Sequence, residues 1–448
     1  MIDAAAALER CDGLVALARR LGADAADAVV RADSAEGVSV RLGRLEDVSR
    51  SESEAIGLRV FVGQRSASVS GSDFSPASLE ALASQALAMA RLAPEDRFAG
   101  LAPADRLAQG PFADLDLIDA QEPAPQDLRE AAAAVEDAAR AVAGVTNSNG
   151  GEASFSRAVV AFATSQGFAQ SYGGTAHSLG ASVIAGEGGA MQTDHCYRSA
   201  RHRADLVSPE AIGAMAGQRA VARVGPTTMP SGPVPVVFDP RVGSSLIGHL
   251  LGGMSGAAVA RKASFLLGHE DDPLFDRAIR ILEEPLRPRG HRSRPFDGEG
   301  LACVPRALVE NGRMFGWLTN CAAARQLDAP LTGHAARGIG GAPGIQTSNV
   351  HCAPGDCSPQ ELMRDIADGL YVTQLFGQGV NLVTGDYSRG ASGLRIRNGE
   401  PAGPVAEITV AGNLIAMFAA MRAADDLEFL QSVNVPTLRI DGMTVAGA

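Results

Sequence analysis

Hydrophobic residues in the first half of the chain recur at helical spacing in some segments and alternate with polar residues in others. The helical spacing predicts helices over residues 4–20, 76–92, 126–143 and 209–224. Two of these open on a proline, which the first turn of a helix tolerates. The alternation predicts half-buried strands between them, over residues 27–33, 37–50, 56–72, 152–165 and 167–185.

The second half opens on a run rich in Gly, Pro, Ser and Thr at 225–233, which is typical of a linker. An apolar strand at 234–238 and a glycine-interrupted helix at 240–260 follow. Beyond them the pattern predicts strands near 279–283, 301–310, 312–318, 380–384, 392–397, 404–411 and 436–445, and helices at 319–327, 358–370 and 411–422. Strands and helices do not alternate one to one, which argues against a doubly wound parallel sheet. We predict an α+β protein with two domains: a helix-and-sheet domain over 1–225 and a β-rich, barrel-like domain over 226–448.

The composition is that of a globular protein, with 46% of the 448 residues hydrophobic and 20% charged. A formal net charge of −12 argues against a nucleic-acid partner, because phosphate contacts need a concentrated basic surface. The chain contains no run of eighteen apolar residues, so we expect no membrane-spanning helix. The amino terminus lacks the pattern of a secretory signal. The six cysteines are scattered, which fits a reducing compartment. We therefore expect a cytoplasmic protein.

The segment GDYSRGASG at 385–393 places an acid, a phenol, a hydroxyl and a guanidinium between glycines. Glycine permits positive φ and close approach of another chain, so we predict a loop from which these side chains project. Such a loop suits the binding of an extended peptide or a partner protein, and a tight polar hairpin is the alternative. The candidate binding residues are Asp386, Tyr387, Ser388 and Arg389, with Arg389 expected to hold either Asp386 or a ligand carboxylate.

Conventional hydrolase and metal motifs are weak in this chain. The segment from His351 to Cys357 offers an imidazole and two thiols, but its C-x4-C spacing lacks the second ligand pair of most zinc sites. The His269-Glu270 pair precedes Pro273, which would interrupt a helix, so we predict a loop there.

Four ordered runs resemble the TldD/PmbA family, whose members are also called modulators of DNA gyrase. They are DPRVGSSLIGHLLGGMSGAAVARKASFL, RPFDGEGL, TQLFGQGVNLVTGDYSRGASG and VAEITVAGNL, all in the second half of the chain. The segment from Gly57 to Arg91 is similar to the family's early strand-and-helix unit. The acidic charge gives no physical reason for contact with DNA, so the gyrase name implies no direct link here.

The TldD branch of this family resembles a metallopeptidase with a HExxxH motif on a helix and a cysteine near the end of the chain. Two imidazoles one turn apart can bind a metal ion, and the glutamate can act as general base on its water. When the family's helix is aligned through Arg261 and Lys262, the two histidines of the motif correspond to Gly248 and Gly253, and its glutamate corresponds to His249. The cysteine is missing too, since no cysteine follows Cys357. The resemblance therefore implies the PmbA/TldE branch, with no metal or other cofactor in this chain. His249 is expected to be a packed or interface histidine.

What the resemblance implies is a subunit of a cytoplasmic peptidase complex that acts on peptides. A TldD-type partner would carry the zinc, and this chain would bind peptide or order the partner's site; a homodimer is the other possible assembly. The alternative from a different class is an independent peptide-binding or regulatory module without hydrolytic activity. A third possibility is a metallopeptidase with a site built from His195, His202 or His351.

Overall fold

The computed structural model describes residues 3–447. In the first half, six antiparallel strands form one sheet in the order β3-β2-β1-β4-β5-β6. Their bounds are β1 Ala25–Arg41, β2 Arg44–Val62, β3 Arg65–Gly71, β4 Val145–Thr164, β5 Ala169–Ala185 and β6 Gln192–Ala200. β1 and β2 are long strands joined by a tight turn, and they extend beyond the short edge strand β3.

Helices cover this sheet and bury its apolar side chains: α1 Ala4–Arg20, α2 Pro76–Leu92, α3 Pro125–Arg140 and α4 Pro209–Val221. Three of these helices are capped at their start by a side-chain oxygen that accepts a hydrogen bond from a backbone N–H of the first turn. The capping residues are Asp3, Ser75 and Ser208. One core packs under α1 and α2, and a second under α3 and α4. Short 3-10 turns lie at Ala104–Arg106, Gly188–Ala190 and Arg203–Asp205.

A closed five-stranded barrel organises the second half. Its strands pair in the order β16-β15-β14-β7-β19, and β19 returns to β16 to close the ring. The barrel strands are β7 Gly232–Phe238, β14 Asp368–Phe376, β15 Asp386–Arg397, β16 Glu400–Asn413 and β19 Leu438–Ala446. The predicted α+β class with a barrel-like second half is thus confirmed. The division of the chain at residue 225 stays a prediction.

Shorter elements surround the barrel. The strands are β8 Ile281–Glu283, β9 Arg306–Glu310, β10 Arg313–Met314, β11 Ala335–Ala336, β12 Gly344–Ile345, β13 Val350–Cys352, β17 Met421–Ala423 and β18 Val433–Asn434. The helices are α5 Pro240–Met254, α6 Gly256–Ala260, α7 Cys321–Leu327, α8 Pro359–Met363 and α9 Leu414–Ala419. No helix within residues 3–447 is long and apolar enough to cross a bilayer.

Four local predictions differ from the structure. Residues 385–393 are not a loop: all but the first belong to β15, which is hydrogen-bonded on both sides. A side chain at Gly393 would place its Cβ 1.9 Å from the carbonyl oxygen of Tyr371, so the glycine permits close strand packing rather than a turn. The helices predicted at 358–370 and 411–422 are the short α8 and α9, each next to strand residues. Residues 380–384, predicted as a strand, form a turn apart from one bridge at Val380.

Candidate functional site

Helix α5 carries the positions where the metal motif would stand. It begins after Asp239, whose carboxylate accepts a hydrogen bond from the Arg241 N–H, and it buries Leu246, Ile247 and Leu250 against the barrel core. The Arg241 guanidinium also reaches β6 and forms a salt bridge with the buried Asp194 at 2.8 Å. This ion pair joins the sheet of the first half to the first turn of α5.

The local packing at two of these positions differs sharply. Gly248 is exposed, and a Cβ built there has no neighbouring atom within 4 Å. Gly253 is buried, and a Cβ there would lie 2.7 Å from the Phe265 ring and 3.0 Å from the Leu266 side chain. A histidine at the second position would therefore collide with the core beneath the helix.

The side chains at the registered positions do not fit a catalytic metal ion. His249 is the only one of the three with a ligating atom, and glycine offers none. Among residues 3–447 no three His, Cys, Asp or Glu side chains are grouped so that they could hold a metal. The prediction that this chain binds no metal nevertheless stays a prediction until metal content is measured.

The other histidines considered from the sequence lie apart and have their own carboxylates. His195 lies beside Asp194, His202 contacts Asp116, and His351 is 3.7 Å from Glu284. His269, as predicted, lies in a loop, where its Nδ1 is 2.7 Å from the Asp272 carboxylate. The described residues thus do not assemble these histidines into one site.

His249 instead meets Tyr387 of β15. The two rings lie edge to face with their centroids 6.1 Å apart. The His249 Nε2 and the Tyr387 hydroxyl are both buried. Within the described residues the His249 Nε2 has no hydrogen-bond partner, and the Tyr387 hydroxyl has none of good geometry, although the Arg389 guanidinium lies close enough to act on it. A buried imidazole nitrogen without a partner, beside a buried phenol that lacks a well-aligned one, is uncommon in a folded protein and calls for an explanation.

The surroundings of both side chains favour their neutral forms. Burial lowers the pKa of His249, and the positive charge of Arg389 lowers it further. Burial raises the pKa of Tyr387 to about 12, and the charge of Arg389 and its interaction with the phenol only partly offset this. A neutral imidazole and a protonated phenol can each donate or accept a hydrogen bond, so the pair suits a neutral polar group such as a peptide amide.

Strand alternation divides the four predicted binding residues between two faces of β15. Tyr387 and Arg389 share a face, and the Arg389 Nε donates a hydrogen bond to the carbonyl of Gly377 at 3.1 Å. Asp386 and Ser388 are exposed on the other face, where Asp386 accepts a hydrogen bond from Thr384 at 2.7 Å. Of the two roles expected for Arg389, the contact with Asp386 is not seen, because a strand directs residues three apart to opposite sides. The other, binding of a ligand carboxylate, stays a prediction.

An exposed apolar rim, which the sequence analysis missed, borders the site. It consists of Phe376, Leu382 and Val383, whose exposed fractions are 50%, 36% and 54%. The Leu382 side chain lies 3.4 Å from the Cβ position of Gly252 on α5. The run Phe376 to Val383 contains these residues in the sequence, but only the fold brings them beside α5.

Three family models match successive parts of the chain. They describe PmbA/TldA metallopeptidase domain 1, the central domain and the C-terminal domain, and they match residues 26–90, 118–224 and 231–447. Metalloprotease PmbA of Escherichia coli O157:H7 is 36% identical over 95% of this chain and 92% of its own length. A Metalloprotease PmbA homolog of Haemophilus influenzae is 36% identical over 97% of this chain and 94% of its own.

Solved structures share the whole fold. A crystal structure described as a candidate modulator of DNA gyrase from Bacteroides thetaiotaomicron superposes with a TM-score of 0.90 at 25% identity and covers 98% of both chains. TldE from Thermococcus kodakarensis superposes with a TM-score of 0.85, covers 97% of this chain and 99% of its own, and is 20% identical. Because only 20% of the residues are identical, the similarity to this TldE structure concerns the fold alone.

Proposed function

Because the chain belongs to the PmbA/TldD metallopeptidase family, as its sequence suggested, we propose that it is the subunit of a TldD/TldE-type peptidase that does not bind the metal. Helix α5 carries this proposal, since glycine stands at both positions where the motif has histidine and Gly253 has no space for a side chain. In this account the peptide-cleaving chemistry resides in a partner that retains the motif. We further propose that the protein is cytoplasmic and that the partner lies in the same compartment.

The site beside α5 would bind peptide or complete the partner's site. The His249 Nε2 offers hydrogen-bonding capacity that the described residues do not use, and the Tyr387 hydroxyl beside it has no well-aligned partner. Arg389 adds a positive charge at the edge of this pair, and the apolar rim offers surface for a partner. Together these features suit a peptide main chain held against β15 and α5, with its ends or acidic side chains near Arg389.

Arg389→Ala provides a test of the proposed site. We expect peptidase activity of the reconstituted complex to fall at least about tenfold, or about 1.4 kcal/mol, because a cation beside the pair is lost. Arg389→Lys should rescue little, since an ammonium cannot reproduce the planar guanidinium fork. The partly exposed side chain contributes little to the core, so the melting temperature of the isolated chain should stay close to that of the wild type.

Ser388→Ala is the matched control. Ser388 is exposed on the opposite face of the same strand, so its replacement should leave complex activity unchanged. Equal activities for wild type and Arg389→Ala would remove the arginine from the site, and a large loss in Ser388→Ala would assign the effect to the strand as a whole.

A further inference from the structure

A cavity of about 530 Å³ lies between the six-stranded sheet and loops of the second half. Its sheet side is lined by Val29, Arg31, Val160, Phe162 and Tyr172. These residues are cross-strand neighbours on β1, β4 and β5: Val29 pairs with Phe162, and Val160 pairs with both Arg31 and Tyr172. The residues that alternate with them on β1 and β4 pack under α1 and α2, so the cavity occupies the opposite face of the sheet.

The hairpin of β11 and β12 forms the opposite wall, with residues 335–339 lining the cavity. Its loop approaches the sheet closely, because a Cβ at Gly57 of β2 would lie 2.0 Å from the carbonyl oxygen of Ile339. The Arg337 Nε donates a hydrogen bond to the Asp27 carboxylate at 2.9 Å, and its Nη1 donates to two carbonyls of the loop. The loop is therefore fixed to the sheet, and the cavity is already formed without a ligand.

Aromatic rings supply much of the apolar surface of the cavity. Phe162 on the sheet side and Phe296 on the loop side are both buried. The Phe296 ring meets the Tyr172 ring edge to face, with the centroids 5.4 Å apart. A concave site of this size with apolar walls and a few polar groups is typical of small-molecule binding, for which volumes of about 300–1,000 Å³ are usual.

The hydroxyl of Tyr172 is one of these polar groups. Tyr172 is partly exposed, and its hydroxyl forms no hydrogen bond within residues 3–447. Burial raises the pKa of the phenol, so it keeps a proton to donate. The positive charges of Arg294 and Arg31 both act on it, which places it near two guanidinium groups. Arg31 is already held by Asp33, through two hydrogen bonds of 2.7 and 2.8 Å.

Arg294, in contrast, forms no salt bridge within the described part of the chain. Its Nη2 donates a hydrogen bond to the Gln346 carbonyl at 2.6 Å, and its Nε is buried without a well-aligned acceptor. The guanidinium also acts on the thiol of Cys303, which stays neutral because burial raises its pKa to about 11. A partly buried cation without a counter-ion is unfavourable, so an anion in the cavity would be stabilised there.

Asp297 is the acidic residue that lines the cavity. Its two carboxylate oxygens accept hydrogen bonds from three backbone N–H groups, at 2.9, 2.9 and 3.0 Å. The carboxylate is thus committed to holding its own loop and the start of β11. Burial also raises the pKa of Asp297, which weakens the negative charge that a bound anion would meet.

We propose that this cavity binds a small carboxylate with an aromatic or branched apolar body. The carboxylate accepts hydrogen bonds from the Arg294 guanidinium and the Tyr172 hydroxyl, an arrangement in which a charged donor strengthens the contact. The apolar body lies against the Phe162 and Phe296 rings. Such a group occurs in free organic acids and in the carboxy-terminal residue of a peptide.

The cavity is separate from the site at α5 and β15, and the proposal does not rest on the peptidase role. Binding is measured on the isolated chain, which needs no partner for it. Absence of binding would leave the proposed function untouched, and absence of peptidase activity in a complex would leave this cavity as described.

Isothermal titration calorimetry of the full chain with N-acetyl-L-phenylalanine tests the proposal. We expect a dissociation constant between about 0.1 and 1 mM, the range that the efficiency of ligands of this size gives. N-acetyl-L-phenylalanine amide has the same body without the charge, so it should bind at least about tenfold more weakly.

Two variants assign the carboxylate contact. Arg294→Gln should weaken binding of the acid at least about tenfold and change binding of the amide little. Arg292→Gln is the matched control, because Arg292 is exposed on the same loop, lies outside the cavity and carries the same charge. Tyr172→Phe keeps the ring and removes a hydroxyl that the fold does not use, so it should weaken binding of the acid about threefold or more without unfolding the chain.

A hexapeptide ending in phenylalanine, with a free or an amidated carboxy terminus, distinguishes the two sources. Binding of the free-acid peptide as tightly as the small acid would assign peptide ends, and binding of the small acid alone would assign a free organic acid. No heat of binding for either at concentrations up to about 10 mM would overturn the proposal. Equal affinities for acid and amide, or equal losses in Arg292→Gln and Arg294→Gln, would overturn it as well.

Discussion

Purified alone, this chain is expected to leave peptides intact, and cleavage should appear when a TldD-type protein with an intact HExxxH helix is added. No side chain at Gly248 or Gly253 can bind a metal, and His249 stands where the motif has its general base. The combined preparation should exceed the isolated chain by at least about 100-fold, the lower end of what one positioned acid–base group contributes. Hydrolysis of unstructured peptides, followed by mass spectrometry, provides the measurement.

Two controls show which of the two chains carries the catalytic metal site. Replacing the motif glutamate of the TldD-type protein should abolish cleavage, and a chelator should do the same. If the isolated chain cleaves peptides as fast as the mixture, the subunit account is wrong. If the chain binds peptides but the TldD-type protein adds nothing, the independent binding module becomes the better account.

Gly253→His should destabilise the fold strongly. Its Cβ would lie 2.7 Å from the Phe265 ring, and the imidazole would add bulk and polarity to a packed interior. We expect a loss of about 2 kcal/mol or more in unfolding free energy, as for other overpacked cores. Urea unfolding followed by circular dichroism measures the change.

Gly248→His is the matched control on the same helix. Its Cβ meets no atom within 4 Å, and glycine is a poor helix former, so stability should stay constant or rise by up to about 1 kcal/mol. Equal stability of the two variants would show that α5 has space for the second histidine. The packing argument for a helix without a metal would then fail.

The periodicity of the sequence predicts the main architecture of this protein. Alternation and helical spacing identify the long strands and covering helices of the first half, because those segments follow simple periods over many residues. The lack of one-to-one alternation identifies the α+β class. The segment Asp386 to Gly393 was misassigned because its glycines resemble turn residues, whereas Gly393 permits the close approach of β14.

The site was only partly predictable. The polar residues between glycines indicated Tyr387 and Arg389, and the resemblance indicated His249. Local sequence cannot show, however, that a residue of α5 meets a residue of β15 far along the chain. Nor can it show that Asp386 and Ser388 lie on the other side of the strand, since the loop prediction carried no alternation. The apolar rim became visible only once the fold placed Leu382 beside Gly252.

Metal content tests the central claim most directly. The isolated chain, purified without chelators and analysed by inductively coupled plasma mass spectrometry, should contain far less than one equivalent of zinc. Its complex with a TldD-type protein should contain about one equivalent per pair, and the Gly248→His variant should leave the zinc content of the isolated chain unchanged. One equivalent of tightly held zinc in the isolated wild-type chain would contradict the account.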